Sequence, residues 1–346
     1  MVLLTACVVL VGCSSIAASS KSTATTVAAP TASPAAASSS TIAPSTGGDA
    51  SASPASDTAS TAASTTVSGG DTLINTWVGP PADLISLPIG TARVSTSTAA
   101  VGGLFTCSAG NPNGGGAFAV GPWVDESAGT WDMTAKIAVQ GDIAWPMAEY
   151  SEVVQGADRV IVSDGYPTET HTGTFPIAAD DPAYAYDRNP NSIGRSAISL
   201  TLPVSPSTAA SPTCLPPSTI GIFRNGVAAF ASIDALNRDA VAYETQDECD
   251  GHPERSSTYH YHDVPSCLLN ATTGPSTVVG FADDGYPFVV ERDAAGNLPT
   301  NADLDECHGR TSPILLDGAV VEMYHYSATY AFPYFIGCFR GTPVGD

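Results

Sequence analysis

The sequence predicts a mainly β domain, sandwich-like or irregular with long loops, and three observations carry that expectation. The segments rich in Val, Ile, Tyr and Phe are short, and each is bounded by Gly, Pro, Asn or Asp. Helical periodicity is scarce: only 234–243 and 301–306 read as helical turns, each opening on residues that can cap. Part of the chain also recurs in tandem, with the same order of strand-like and turn-like segments in each copy. At 346 residues, 43% hydrophobic and 13% charged, the chain is long enough to bury a real core.

The N-terminus predicts export. MVLLTACVVLVGCSS is an apolar run of signal-peptide type closing on Leu10-Val11-Gly12-Cys13, a pattern similar to the bacterial lipobox, although no Lys or Arg precedes it. Residues 1–13 are thus expected to be a lipoprotein signal peptide, with Cys13 lipidated and the membrane reached through that anchor. A spanning helix is excluded, because a span needs roughly 20 apolar residues. Residues 14–71 are Ser, Thr, Ala, Pro and Gly with few charges, too poor in large apolar side chains to offset their ordering entropy, and are expected to be a disordered linker. The folded domain is expected over 72–346.

Within that domain, KIAVQG, RVIVSDG, AISLTLPV, TIGIFRNG, STVVGFADDG, YPFVVERD and AVVEMYHYSATY are the strand candidates, in chain order. Gly221-Ile222-Phe223-Arg224-Asn225-Gly226 lines up with Gly280-Phe281-Ala282-Asp283-Asp284-Gly285 at an offset of 59 (280 − 221). Asp247-Glu248-Cys249-Asp250-Gly251-His252 lines up with Asp305-Glu306-Cys307-His308-Gly309-Arg310. Tyr259-His260-Tyr261-His262 lines up with Tyr324-His325-Tyr326-Ser327, and Cys267 with Cys338. The repeat units therefore run over about 221–267 and 280–338.

Beyond Cys7 and Cys13 there are six cysteines, an even number in a chain expected to be exported, which favours disulfides over thiolate metal ligation. The repeat selects one pairing: Cys249 with Cys267, Cys307 with Cys338, and Cys107 with Cys214. Close C-x-x-C pairs of the zinc-binding kind are missing from this part of the chain.

The charge balance, 34 acidic against 12 basic residues for a net charge of -22, repels phosphate backbones and speaks against nucleic acid as a partner. No serine nucleophile elbow, phosphate-cradling loop, dinucleotide fingerprint or EF-hand spacing occurs in the domain.

Between about 155 and 341 the chain resembles the YHYH-domain family of exported bacterial proteins. The stretches that carry the likeness are HTGTFP, YDRNPNSI, RDAVAYETQDECDGHP, TYHYHDVPSCL, TNADLDECHGR, MYHYSAT and FPYFIGCFRG. The resemblance implies an extracytoplasmic, disulfide-containing β protein and brings no biochemical activity with it. Family members often carry the full Y-H-Y-H in both copies, whereas here Ser327 ends the second one and Arg310 stands opposite His252.

On a strand, alternate side chains share a face, so His260 and His262 should point one way and Tyr259 and Tyr261 the other. Five of the six histidines lie in the repeated motifs, and imidazole suits copper or zinc, so His252, His260, His262, His308 and His325 are the candidate metal ligands. Asp247, Asp250 and Asp263 are candidate partners that bind alongside or orient the rings. His171, in HTGTFP, is a further candidate ligand or general base.

Two other readings stay open. The histidines are structural in a non-catalytic surface binding or adhesion module, or the metal serves a hydrolase through an activated water, which needs an open coordination position and a carboxylate base.

Overall fold

The structure is a computed structural model and describes residues 73–344. The expected signal peptide with Cys13 and the 14–71 linker lie outside the described residues. No described helix is long and apolar enough to cross a membrane.

Eight strands form the principal sheet: Thr219–Phe223 (β1), Ala228–Phe230 (β2), Gly251–Pro253 (β3), Tyr259–Tyr261 (β4), Ser276–Ala282 (β5), Pro287–Glu291 (β6), Gly309–Leu316 (β7) and Ala319–Ser327 (β8). Their order is β3-β4-β2-β1-β5-β6-β8-β7, so the two halves read alike outward from the β1–β5 pair. Within each half the inner hairpin is antiparallel, the next pairing (β2–β4, β6–β8) is parallel, and the outer hairpin is antiparallel.

The central register has the same symmetry. β1 and β5 pair Gly221 with Ala282, Ile222 with Phe281 and Phe223 with Gly280. Adding 59 to Gly221 and Ile222 gives Gly280 and Phe281, so the Ile222–Phe281 pair lies on the pseudo-twofold. The two glycines answer to that approach: a Cβ on Gly221 would lie 2.3 Å from the Phe281 carbonyl oxygen, and one on Gly280 would lie 2.5 Å from that of Ile222.

Each face of the sheet has its own cover. A three-stranded antiparallel meander, Tyr150–Gln155, Asp158–Ser163 and Ile198–Pro203, buries Ile161 and Leu202 against Ile222, Val278, Phe281 and Val289, giving the sandwich-like layer. Glu152 ties the layers together by accepting from Arg159 and from Arg224, whose Nε and Nη2 each stand 2.9 Å from it. The opposite face carries the larger core, in which Tyr259, Tyr261 and Tyr326 join Phe223, Phe288 and Phe335 under long loops and short strands.

Most strand candidates are strands, and the departures have local causes. KIAVQG is not one: Lys136 is turned inward onto the Val241 carbonyl at 2.5 Å and the Gln246 amide, and Val139 makes only an isolated bridge to Asp247. Of the expected helical turns, Ala240–Tyr243 (α1) forms under an Asp239 cap, and Asn301–Asp303 is a 3-10 turn with a Thr300–Asp303 capping box. Ser266–Ala271 (α2) is a helix that the sequence reading did not anticipate; it follows Pro265 and has no side-chain cap.

Disulfides join Cys107 to Cys214, Cys249 to Cys267 and Cys307 to Cys338. The aspartate of each D-E-C-x-G stretch folds its turn. Asp247 Oδ1 accepts from the amides of Cys249 and Gly251, and Asp305 Oδ1 from those of Cys307 and Gly309. The first tyrosine of each Y-H-Y strand then donates to the same aspartate, Tyr259 to Asp247 and Tyr324 to Asp305. The second tyrosine reaches the inner turn of its own half: Tyr261 accepts from Asn225 and Tyr326 donates to Asp284.

Asp247 is buried and also accepts from Gly173, so Asp247→Ala strands several buried donors. It is expected to cost about 3 kcal/mol in chemical denaturation. The same change at the partly exposed Asp305 should cost less, and equal losses would show that burial does not set the difference.

Candidate metal centre

The alternation on β4 does what the pleat dictates. Its tyrosines enter the main core, and His260 and His262 emerge on the other face. β3 runs beside β4 with His252 directly opposite His260, so the outer hairpin supplies a third imidazole. All three histidines are buried, at 5%, 3% and 4% exposure.

Their Nε2 atoms converge. His262 Nε2 lies 3.1 Å from that of His260 and 3.2 Å from that of His252. Nitrogens bound at about 2.0–2.1 Å to one tetrahedral ion stand about 3.3–3.4 Å apart, so these two spacings are close to those of a ligand set, and all three ligand atoms lie within 4.8 Å of one another. Glu244, the residue after α1, brings Oε2 to 3.5 Å from both His252 Nε2 and His262 Nε2. This carboxylate was missed from sequence. Its signal was a lone acid closing the apolar run Ala240-Val241-Ala242-Tyr243, eight residues before His252.

The outer ring nitrogens fix the tautomers. His260 Nδ1 stands 3.1 Å from the Thr258 carbonyl and His262 Nδ1 stands 2.6 Å from the Ala231 carbonyl, so each Nδ1 carries the proton and donates it. Their Nε2 lone pairs then face each other with no proton between them. Moving either proton to Nε2 would satisfy that contact only by setting an unprotonated Nδ1 against a carbonyl oxygen. A cation shared by the Nε2 atoms resolves the conflict without breaking an outer hydrogen bond.

Protonation resolves it poorly. Burial holds the His260 imidazole down at about 4, and burial together with the neighbouring His260 charge holds His262 well below its usual range. Burial, reinforced by the charges of Asp234 and Asp187, pushes Glu244 well above the usual carboxylate range. Oε2 of Glu244 and Nδ1 of His252 are buried without a hydrogen-bond partner. The cluster thus offers lone pairs and a latent negative charge, and it forms the inner wall of an open cleft of about 650 Å³.

The other candidates lie elsewhere. Among the described residues, the metal-type cluster contains His252, His260 and His262 only, so His308 and His325 do not join it. Both belong to the second half of the sheet and are already engaged there. His308 Nε2 is 3.0 Å from Thr329 Oγ1, and His325 Nε2 is 3.0 Å from Glu291 Oε2. Asp247 serves the tyrosine side, Asp250 accepts from the Ser266 amide at 2.6 Å, and Asp263 lines a separate cavity. His171 is exposed and pairs with Asp142.

His308 has its own measurable consequence. Burial lowers its imidazole to about 3 from 6.5. The unfolded chain takes up this proton below pH 6.5 and the folded chain resists it until about 3, so the stability held above 6.5 is lost as the pH falls between those values. The contribution is on the order of 5 kcal/mol. His308→Asn, chosen because asparagine tolerates the φ of 68° there, should flatten that part of the acid limb in urea titrations between pH 7 and 4. An unchanged slope would contradict the assignment.

Comparisons with curated proteins and with solved structures gave no match. A family model described as YHYH protein matches residues 199–298, a span that holds the first half of the sheet, all three clustered histidines and Glu244. The chain therefore carries a YHYH domain.

Proposed function

We propose that this is an exported, lipid-anchored protein whose YHYH domain binds one transition-metal ion, zinc or copper, through His252, His260 and His262 with Glu244 beside them. The convergence of three Nε2 atoms, two of them on rings whose Nδ1 protons are held by backbone carbonyls, carries the reading. Three imidazoles suit either metal. The domain is taken as a tandem duplication in which only the first copy retains the ligand set. Export rests on the N-terminal pattern ending at Cys13 and agrees with the three disulfides.

The test is elemental analysis of the oxidised protein after challenge with zinc or copper(II) and removal of loosely held ion. One equivalent per chain is expected, falling to near zero in His260→Ala/His262→Ala. Equal, near-zero content in both proteins overturns the reading and leaves the surface module with structural histidines. Solvent extraction of the Cys13→Ser variant from membranes tests the anchor separately.

A metal-dependent hydrolase is the second reading, favoured by a carboxylate next to the Nε2 atoms and by the cleft that opens onto them. Turnover of ester or amide substrates by the metal-loaded protein, lost in Glu244→Gln with metal content retained, would select it over a carrier.

A further inference from the structure

Resting on the metal reading, the cleft walls point to what the site takes. Three of the four acids that line the cleft are occupied, and the fourth, Glu244, stands beside the histidine cluster. Asp234 accepts from Arg238 Nε at 2.7 Å, Asp187 from the Thr245 amide at 3.3 Å, and Glu254 from the amides of Ser256 and Thr258 at 2.7 and 3.2 Å.

The arginines of the cleft are not occupied in this way. Among the described residues, Arg188, Arg195 and Arg255 are the arginines with neither an ion pair nor a side-chain hydrogen bond, and Arg188 and Arg255 both line this cleft. Arg188 is nonetheless positioned, since its guanidinium carbon lies 3.7 Å from the centre of the Phe118 ring and 5.2 Å from that of Tyr184. Stacking of this kind holds the plane of the fork and leaves its N–H edges free to donate. In a chain of net charge -22 the general field repels anions, and the cleft itself carries four acids, so what its two unpaired arginines offer is free, directed N–H donors rather than a positive field.

We propose that the cleft binds a small anionic molecule through a carboxylate or phosphate group, gripped by Arg188 and Arg255 and directed at the metal held by His252, His260 and His262. A planar guanidinium matches either group through paired N–H donors. The volume of about 650 Å³ is in the range of small-molecule sites and would accept a metabolite-sized ligand.

Cobalt(II) is the probe, because its visible bands report the ligands around it. The cobalt-loaded full-length protein is titrated with acetate and, separately, inorganic phosphate at constant ionic strength. A saturable band shift with at least one anion is expected, and the tighter of the two names the group. Arg188→Ala and Arg255→Ala should each raise the half-saturation concentration about tenfold while leaving cobalt content at one equivalent. Bands unmoved by both anions, or the same half-saturation in both arginine variants as in the parent, overturn this inference and leave the metal reading intact. A protein that takes up neither cobalt(II) nor zinc nor copper(II) overturns both.

Discussion

Replacing His262 by alanine is expected to weaken zinc binding about 100- to 1,000-fold. His262 is the hub of the cluster: its Nε2 is 3.1 Å from His260, 3.2 Å from His252 and 3.5 Å from Glu244 Oε2. Zinc held by a full protein ligand set contributes about 10–16 kcal/mol, and removing one of four donors forfeits roughly 3–4 kcal/mol of that. Competition against a chromogenic chelator measures the change.

The same variant separates a ligand from a structural histidine. A structural His262 would stabilise the metal-free protein, so alanine would lower its Tm and the loss would persist with zinc present. In a metal site, the metal-free protein loses the packed ring but also loses the Nε2–Nε2 conflict. Its Tm should move little, while the rise that zinc produces in the parent should disappear. That rise follows ligand linkage, about 2.7 kcal/mol at a free-ion concentration of 100 Kd. A large Tm loss in chelator with an unchanged zinc response would assign the ring to the core.

What the sequence made legible follows from which interactions are local. The period-two alternation of Tyr259-His260-Tyr261-His262 sends rings to opposite faces whatever the sheet around them, so the facing of the histidines was readable. The shared order of the turn and cysteine motifs, rather than a fixed offset, was readable because the two halves of the sheet carry their turns and strands in the same order. Glu244 was hidden because its approach depends on where α1 packs against the outer hairpin, a tertiary fact without periodicity. The separation of His308 and His325 from the cluster was hidden for a related reason. Equivalent residues in two halves related by a pseudo-twofold lie on opposite sides of its axis, so motif likeness means equivalent surroundings, not a shared ion. KIAVQG misled because a partly buried lysine bonded to a backbone carbonyl overrides alternation.

In the second half, the protein supplies its own cation, and exchanging it for histidine should create a second metal site. β7 and β8 set Arg310 opposite His325 in the register that sets His252 opposite His260, and Ser327 stands where His262 does. Glu291 takes the carboxylate's part from β6: His325 Nε2 is 3.0 Å from Oε2, Ser327 Oγ donates to it at 2.7 Å, and Arg310 Nε lies 3.9 Å from Oε1. Burial opposes the Glu291 charge, and the His325 hydrogen bond with the His325 and Arg310 charges outweighs it, so this carboxyl lies below its usual range where Glu244 lies above. Arg310→Ala alone removes the guanidinium from a fully buried carboxylate and is expected to cost about 3 kcal/mol. Arg310→His with Ser327→His gives three imidazoles around Glu291, and zinc content should rise from one equivalent toward two, with zinc restoring most of the lost stability. Adding Glu291→Gln should weaken the new site by about 10- to 100-fold and leave the first one untouched. A double variant that stays at one equivalent and is not stabilised by zinc would show that matching register and ligand type do not suffice. The features special to the first half, the His262 Nδ1 bond to the Ala231 carbonyl and the entry of Glu244 from α1, would then be what the proposed site depends on.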